Sequence, residues 1–145
     1  MSDVYTYVKK FKLKYKKTIA FRLKSHCKVI DLHLNEEEKV IYAFPAQDNK
    51  SSFIIINSCV IALTNKRLLL GKKRLLWGYF LTSITPDLYN DLKVIKNLIW
   101  SDIEIDTVKE NLYLSNIDPA GAIEAESIIT DYMIKEKQKY GKKNN

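Results

Sequence analysis

Glycine and proline are scarce, with four Gly and three Pro in 145 residues. That is the composition of an ordinary globular protein of about one domain, and it excludes a low-complexity chain. Cysteine is scarcer still, at Cys27 and Cys59. Two thiols on a chain long enough to bury its own core do not make a disulfide framework, and they point to a reducing compartment. Histidine also stops at two. His26, Cys27 and His33 match no closed ligand spacing and no other Cys or His pair completes four ligands, so no metal is expected. No phosphate-cradling loop is present, because Gly71-Lys72-Lys73 lacks the upstream Gly, and there is no nucleophile elbow. The expectation is a protein that is not an enzyme, with no cofactor and no small-molecule substrate. The longest apolar run, 53–63, is interrupted by Asn57 and Ser58. It falls short of the roughly 20 residues that span a bilayer. No apolar run of a secretory signal follows the basic start. These absences make a cytoplasmic location the expectation, with peripheral membrane contact left open.

What is abundant is positive charge, and it is unevenly placed. The formal net charge is +7. Residues 1–31 hold nine Lys and Arg against two Asp, whereas residues 32–145 hold 15 basic and 15 acidic residues. The whole excess therefore sits at the front end, and any general attraction to acidic lipid or nucleic acid is sought there. In the same segment Val4, Val8, Phe11, Tyr15, Ile19, Leu23, Cys27, Ile30 and Leu34 step by three and four, one face of a helix. Phe11-Lys12-Leu13-Lys14-Tyr15-Lys16 alternates with period two inside it, a competing strand pattern. The reading is a helix over 18–32, with 1–17 either helical or a loosely held arm. Asn35-Glu36-Glu37-Glu38 then reverses the charge and marks a boundary, giving a basic amphipathic segment, 1–34, and a second unit, 35–145.

The second unit is organised around residues 60–85. Three apolar stretches are broken by two basic turns, Thr64-Asn65-Lys66-Arg67 and Gly71-Lys72-Lys73-Arg74. Asn and Gly tolerate positive φ, and connections this short force antiparallel pairing. Nine Tyr fit high strand content. Strands are predicted over 39–47, 53–63, 68–72, 75–84, 90–95, 99–107 and 112–117. In the sixth, Ile103 and Ile105 alternate with Asp102, Glu104 and Asp106. Asp118-Pro119 then opens a helix with a capping carboxylate and a proline at the first helical position. Ala122, Ala125, Ile128, Ile129, Tyr132 and Met133 supply its apolar stripe.

The fold class expected is mainly β (α+β), seven antiparallel strands in two orthogonal sheets capped by a C-terminal helix, with an extra N-terminal amphipathic helix. The tracts Tyr42-Ala43-Phe44-Pro45-Ala46-Gln47-Asp48-Asn49-Lys50, Ala62-Leu63-Thr64-Asn65-Lys66-Arg67-Leu68-Leu69, Gly78-Tyr79-Phe80-Leu81-Thr82-Ser83-Ile84 and Ile105-Asp106-Thr107-Val108-Lys109-Glu110 resemble those of bacterial PH-like (pleckstrin-homology-like) domain proteins. The resemblance covers about 36–140. It implies a PH-like barrel and a non-enzymatic module that sometimes forms oligomers. It does not import a phosphoinositide site, because the turn after the first strand carries one cation, Lys50, beside Asp48.

Three groups of residues are candidates for contact. Lys66, Arg67, Lys72, Lys73 and Arg74 are candidate anion or partner contacts. Turns at the two ends of a five-residue strand lie about 17 Å apart, so they form two small patches unless the fold joins them. Their other role is to keep strand edges from pairing. Lys9, Lys10, Lys12, Lys14, Lys16 and Lys17 form a candidate basic surface for an anionic membrane, with nucleic acid less favoured. The alternative is that this helix packs its stripe on the barrel or on another subunit. Trp77, Tyr79 and Phe80 beside Gly78 read as core or interface aromatics, or as the lining of a groove. The function expected is a binding or scaffolding module acting through protein–protein contact, with self-association into a homo-oligomer. Electrostatic attachment of the N-terminal segment to membrane or nucleic acid is the alternative.

Overall fold

The computed structural model describes residues 3–143, with side chains to residue 139. Two helices, α1 (Asp3–Lys14) and α2 (Leu23–Asp31), precede seven strands and a long final helix. The strands are β1 (Val40–Gln47), β2 (Ser58–Thr64), β3 (Leu68–Lys73), β4 (Tyr79–Ile84), β5 (Tyr89–Lys96), β6 (Ser101–Thr107) and β7 (Asn111–Ile117), followed by α3 (Pro119–Lys143). All neighbours are antiparallel, in the order β4-β3-β2-β1-β7-β6-β5. The meander splits into a four-strand and a three-strand ladder, joined where Gln47 pairs with Ser115.

The Thr64–Arg67 turn forms as its residues dictate. Thr64 N–H donates to Arg67 O (2.9 Å), and Thr64 Oγ1 accepts from the N–H groups of Lys66 and Arg67 (3.1 Å each). Asn65 Oδ1 accepts from Lys39 N–H (2.8 Å), which fixes where β1 begins.

Side-chain alternation explains why every residue of β2 is buried. Cys59, Ile61 and Leu63 face the main core with Phe44, Leu68, Leu70 and the α3 residues Ala122, Ala125, Ile129 and Met133. The opposite face carries Val60 and Ala62, and it is covered by Val4, Val8, Cys27 and Ile30 of α1 and α2. Small residues on that face let the helices approach. A Cβ on Gly71 would stand 2.6 Å from Ile30 Cγ1.

Four expectations are corrected by these contacts. Gly71 was read as a turn residue, but it lies inside β3 opposite Val60, and the reversal comes later, at Gly78 with φ 82°. The fourth strand accordingly starts at Tyr79 rather than 75. The second strand starts at Ser58 rather than 53. Residues 53–57 leave the ladder because nearby side chains satisfy the backbone instead: Ser51 N–H donates to Asn49 Oδ1 (3.2 Å) and Asn49 Nδ2 to Ile54 O (3.0 Å). The helix over 18–32 shrinks to α2 because Arg22 takes φ 56°, while 3–14, left open by the sequence, is helical.

The apolar stripe of the N-terminal segment is consumed within the chain. Phe11 lies 4.8 Å from Tyr15 and 5.6 Å from Phe44, ring centre to ring centre. Both Phe11 and Tyr15 belong to the main core, and a Cβ on Gly121 of α3 would stand 2.6 Å from Phe11 Cζ. Of the two packing surfaces open to this stripe, the barrel or another subunit, these residues use the sheet and α3 of their own chain.

Candidate functional site

The five cations singled out in the turns separate into two groups. Lys66 is exposed at the β2–β3 turn. Arg67 is structural: its guanidinium donates to both oxygens of the buried Glu38 (2.9 and 3.0 Å), to His33 O (2.9 Å) and to Ser83 Oγ (3.2 Å). Burial alone would raise the Glu38 carboxyl, but hydrogen bonds from Arg67, Thr64 and the Asn35 N–H hold it below the ordinary value. Lys72, Lys73 and Arg74 lie at the far end of β3 and do come together with other residues, as described below.

The N-terminal lysines differ in what they touch. Lys9 sits over the Tyr5 ring (5.8 Å), Lys12 Nζ donates to Thr18 O and Lys14 pairs with Glu124 (3.1 Å). Lys10, Lys16 and Lys17 are exposed. Lys16 and Lys17 lie outside the helix, in the turn that begins the strap joining α1 to α2.

Strand pairing brings several connections to one rim. Gln47 opposes Ser58, Lys73 opposes Tyr79, Ser101 opposes Ile117, and Gln47 also opposes Ser115. The β1–β2 loop, the β3–β4 loop and the β5–β6 turn therefore share this end of the sheet. The first loop is anchored to β7. Lys50 Nζ lies 3.9 Å from the Tyr113 ring centre, Ser115 Oγ donates to Asn49 Oδ1 (2.7 Å) and Asn116 Nδ2 donates to Ser52 O (2.9 Å).

A groove of about 740 Å³ opens between the two loops and the strap. Its apolar walls include Phe21, Ile55, Ile56, Leu75, Trp77 and Phe80, and its cations are Arg22, Lys72, Lys73 and Arg74. Among the described residues no carboxylate lines it. The loop tips leave large side chains in water, with Phe53 97%, Ile56 86%, Leu75 79%, Leu76 78% and Trp77 74% exposed. Large apolar side chains left in water at one rim are the kind of surface on which a binding partner is sought.

Local bonding holds the groove open. Phe21 N–H donates to Ser58 Oγ (2.8 Å), and Arg22 reaches the carbonyls of Lys73 and Arg74 (3.4 Å each). His26 Nδ1 accepts from Lys73 N–H (2.8 Å). Burial, then the charges of Arg22 and Lys72, lower the His26 imidazole to about 4, so it is neutral at pH 7 and serves as that acceptor. Lys72 Nζ reaches Asn57 Oδ1 (3.3 Å), which ties the β1–β2 loop to the end of β3.

Trp77 and Phe80 line the groove, while Tyr79 turns away, its hydroxyl 2.9 Å from His33 Nε2. The groove lining was one of the two readings of Trp77 and Phe80, but the sequence assigns 53–56 and 75–77 to strands, so it does not signal the walls those runs supply. The available signal was the pairing of each run with a breaker, Asp48-Asn49-Lys50-Ser51-Ser52 before one and Gly78 after the other.

His26, Cys27 and His33 point into different surroundings: the groove wall, the helix–sheet core and the Tyr79 ring. Among the described residues no three His, Cys, Asp or Glu side chains gather as a metal-holding group. Among them, too, no helix is long and apolar enough to cross a membrane. No curated protein matches the chain. The family described as bacterial PH domain matches residues 34–131, which cover every strand and the first half of α3. A match over that share of the chain, on a seven-strand meander closed by a C-terminal helix, places this protein in the bacterial PH domain family.

Proposed function

We propose that this chain is a non-enzymatic binding module that docks on an anionic membrane surface through the rim of the β1–β2 and β3–β4 loops. One observation carries the reading: largely exposed apolar tips stand beside four cations with no lining carboxylate. A bilayer with acidic headgroups supplies both complements at once, hydrocarbon for Phe53, Ile56, Leu75, Leu76 and Trp77, and phosphate for Arg22, Lys72, Lys73 and Arg74. Each cation near such a surface contributes about 1 kcal/mol. Cys27 and Cys59, both free and buried, suit action from the cytoplasmic side.

A second copy of the chain is a poorer occupant of this rim. Pairing two such rims would bring the same cations of both copies together with no acid among the lining residues to neutralise them. The N-terminal stripe that first suggested self-association is buried against the sheet and α3.

Sedimentation with phosphatidylcholine vesicles, with and without phosphatidylglycerol, tests the proposal. Binding is expected only with the anionic lipid, weakening as salt rises, and dropping at least tenfold in a Lys73→Glu/Arg74→Glu variant. Binding that ignores lipid charge and salt, or no binding at all, overturns it.

A further inference from the structure

The molecule has a second exposed apolar tip, and the first does not account for it. At the β5–β6 turn Leu98 is 96% exposed and Ile99 50%. The turn is firmly built: Asn97 N–H donates to Trp100 O (2.9 Å) and Asn97 Nδ2 to Asp102 Oδ2 (3.0 Å). Trp100 does not point freely into water, because its Nε1–H donates to Lys17 O (2.7 Å). That bond seats the turn against the strap, with Lys16, Lys17 and Lys96 exposed around it. Asp102 and Asp118 stand near. Asp102 Oδ2 accepts from Asn97, while its buried Oδ1 has no hydrogen-bond partner among the described residues. Asp118 accepts from the N–H groups of Lys17 (3.4 Å) and Ala120 (3.1 Å), so three exposed lysines face two carboxylates here.

The strap joins this tip to the groove. From Lys17 it runs past β7, where Ile19 N–H donates to Asn116 O (2.9 Å). Gln47 Nε2 holds Ile19 O (2.9 Å), and Ser58 and the end of β3 then take Phe21 and Arg22. Five residues of extended chain reach at most about 18 Å. The strap residues bonded to the two connections, Lys17 and Arg22, are therefore held within that span on one rim, each connection beside its own cations.

We infer that the β5–β6 turn, with Lys16 and Lys17 of the strap, is a second foothold on the same anionic membrane surface. It rests on the docking proposed above and adds an orientation to it. Two footholds on one rim set the sheet end against the bilayer, with α3 leading away from it. They also give the basic strap a role that the rest of the N-terminal segment, spent on packing, does not share.

Native thiols make the test selective. Cys27 and Cys59 are 1% and 0% exposed, so a cysteine at position 98 is the site that reacts with a polarity-sensitive fluorophore. The full chain carrying Leu98→Cys is labelled and mixed with phosphatidylglycerol vesicles. A labelled Leu76→Cys chain reports the first foothold. Ile134→Cys is the control, 53% exposed on α3 and about 22 Å along the helix from its start.

The expected result is a blue-shifted, brighter emission at 98 and at 76, with none at 134. A Leu98→Glu/Ile99→Glu variant is expected to bind the vesicles roughly tenfold more weakly, with an unchanged melting temperature. A shift at 76 but not at 98, with that variant binding normally, overturns the second foothold and leaves the first standing. No shift at either site, and no sedimentation, overturns the docking itself. A shift at 98 that grows with protein concentration before vesicles are added also overturns the inference, since a second copy then covers the turn.

Discussion

Replacing Phe11 by Ala is the sharpest perturbation of the way the N-terminal segment joins the sheet. The ring is 3% exposed and has Tyr15, Phe44 and Tyr42 at centroid distances of 4.8, 5.6 and 6.3 Å. Gly121 approaches it from the other side. Removing a buried aromatic ring costs about 3–5 kcal/mol, because the lost transfer energy is joined by the cavity left behind. The neighbours here are two tyrosines, a phenylalanine and a helix backbone, which collapse poorly into the space, so the upper half of that range is expected. Against a total stability of about 5–15 kcal/mol the loss is large. At about 3 °C per kcal/mol for a chain of this size, the melting temperature falls by ~10 °C or more. Urea denaturation followed by circular dichroism measures it. Leu13→Ala on the same helix, 65% exposed, is the control and is expected to shift stability by less than about 0.5 kcal/mol. If Phe11→Ala costs less than about 1 kcal/mol, α1 is a loosely held arm and the packing argument fails.

Three further outcomes are expected. Leu75→Ser/Leu76→Ser removes two exposed tips at about 2 kcal/mol of membrane burial each, so vesicle partition falls by roughly a thousandfold while the melting temperature stays put. Gly71→Ala forces a Cβ to 2.6 Å from Ile30, and shifting α2 to relieve it costs about 1–3 kcal/mol in urea denaturation. Glu38→Gln leaves Arg67 short of its partner at a cost of about 2–4 kcal/mol at neutral pH. The native carboxyl is held below its ordinary 4.5. Its contribution is therefore complete above that pH and is lost as pH falls through the folded value, so wild type and Glu38→Gln converge in acid.

The meander was legible in the residue order, because its signals are local. The Thr64–Arg67 turn is specified by a hydroxyl, an amide and two adjacent N–H groups, and the alternation in β6 by neighbouring residues. Asp118 and Pro119 likewise open α3 without help from elsewhere. Charge asymmetry and the helical stripe were also legible, as was the family.

What those features meet was not legible there and emerges with the packed fold. Whether Gly71 turns the chain or admits a helix depends on Ile30, forty-one positions away in sequence. Whether the apolar runs at 53–56 and 75–77 extend their strands depends on Asn49 and Ser51 capturing the backbone of the first and on Gly78 reversing the chain after the second. The stripe of α1 carries the same period whether it faces a partner or its own sheet, and the distinction rests on small residues, Ala43, Ala62 and Gly121, leaving room for it. The rim is assembled from four connections far apart in the chain and becomes one surface only when the strands pair. Periodicity records which side of an element is apolar. What that side touches is set by contacts between residues that the order of the chain keeps apart.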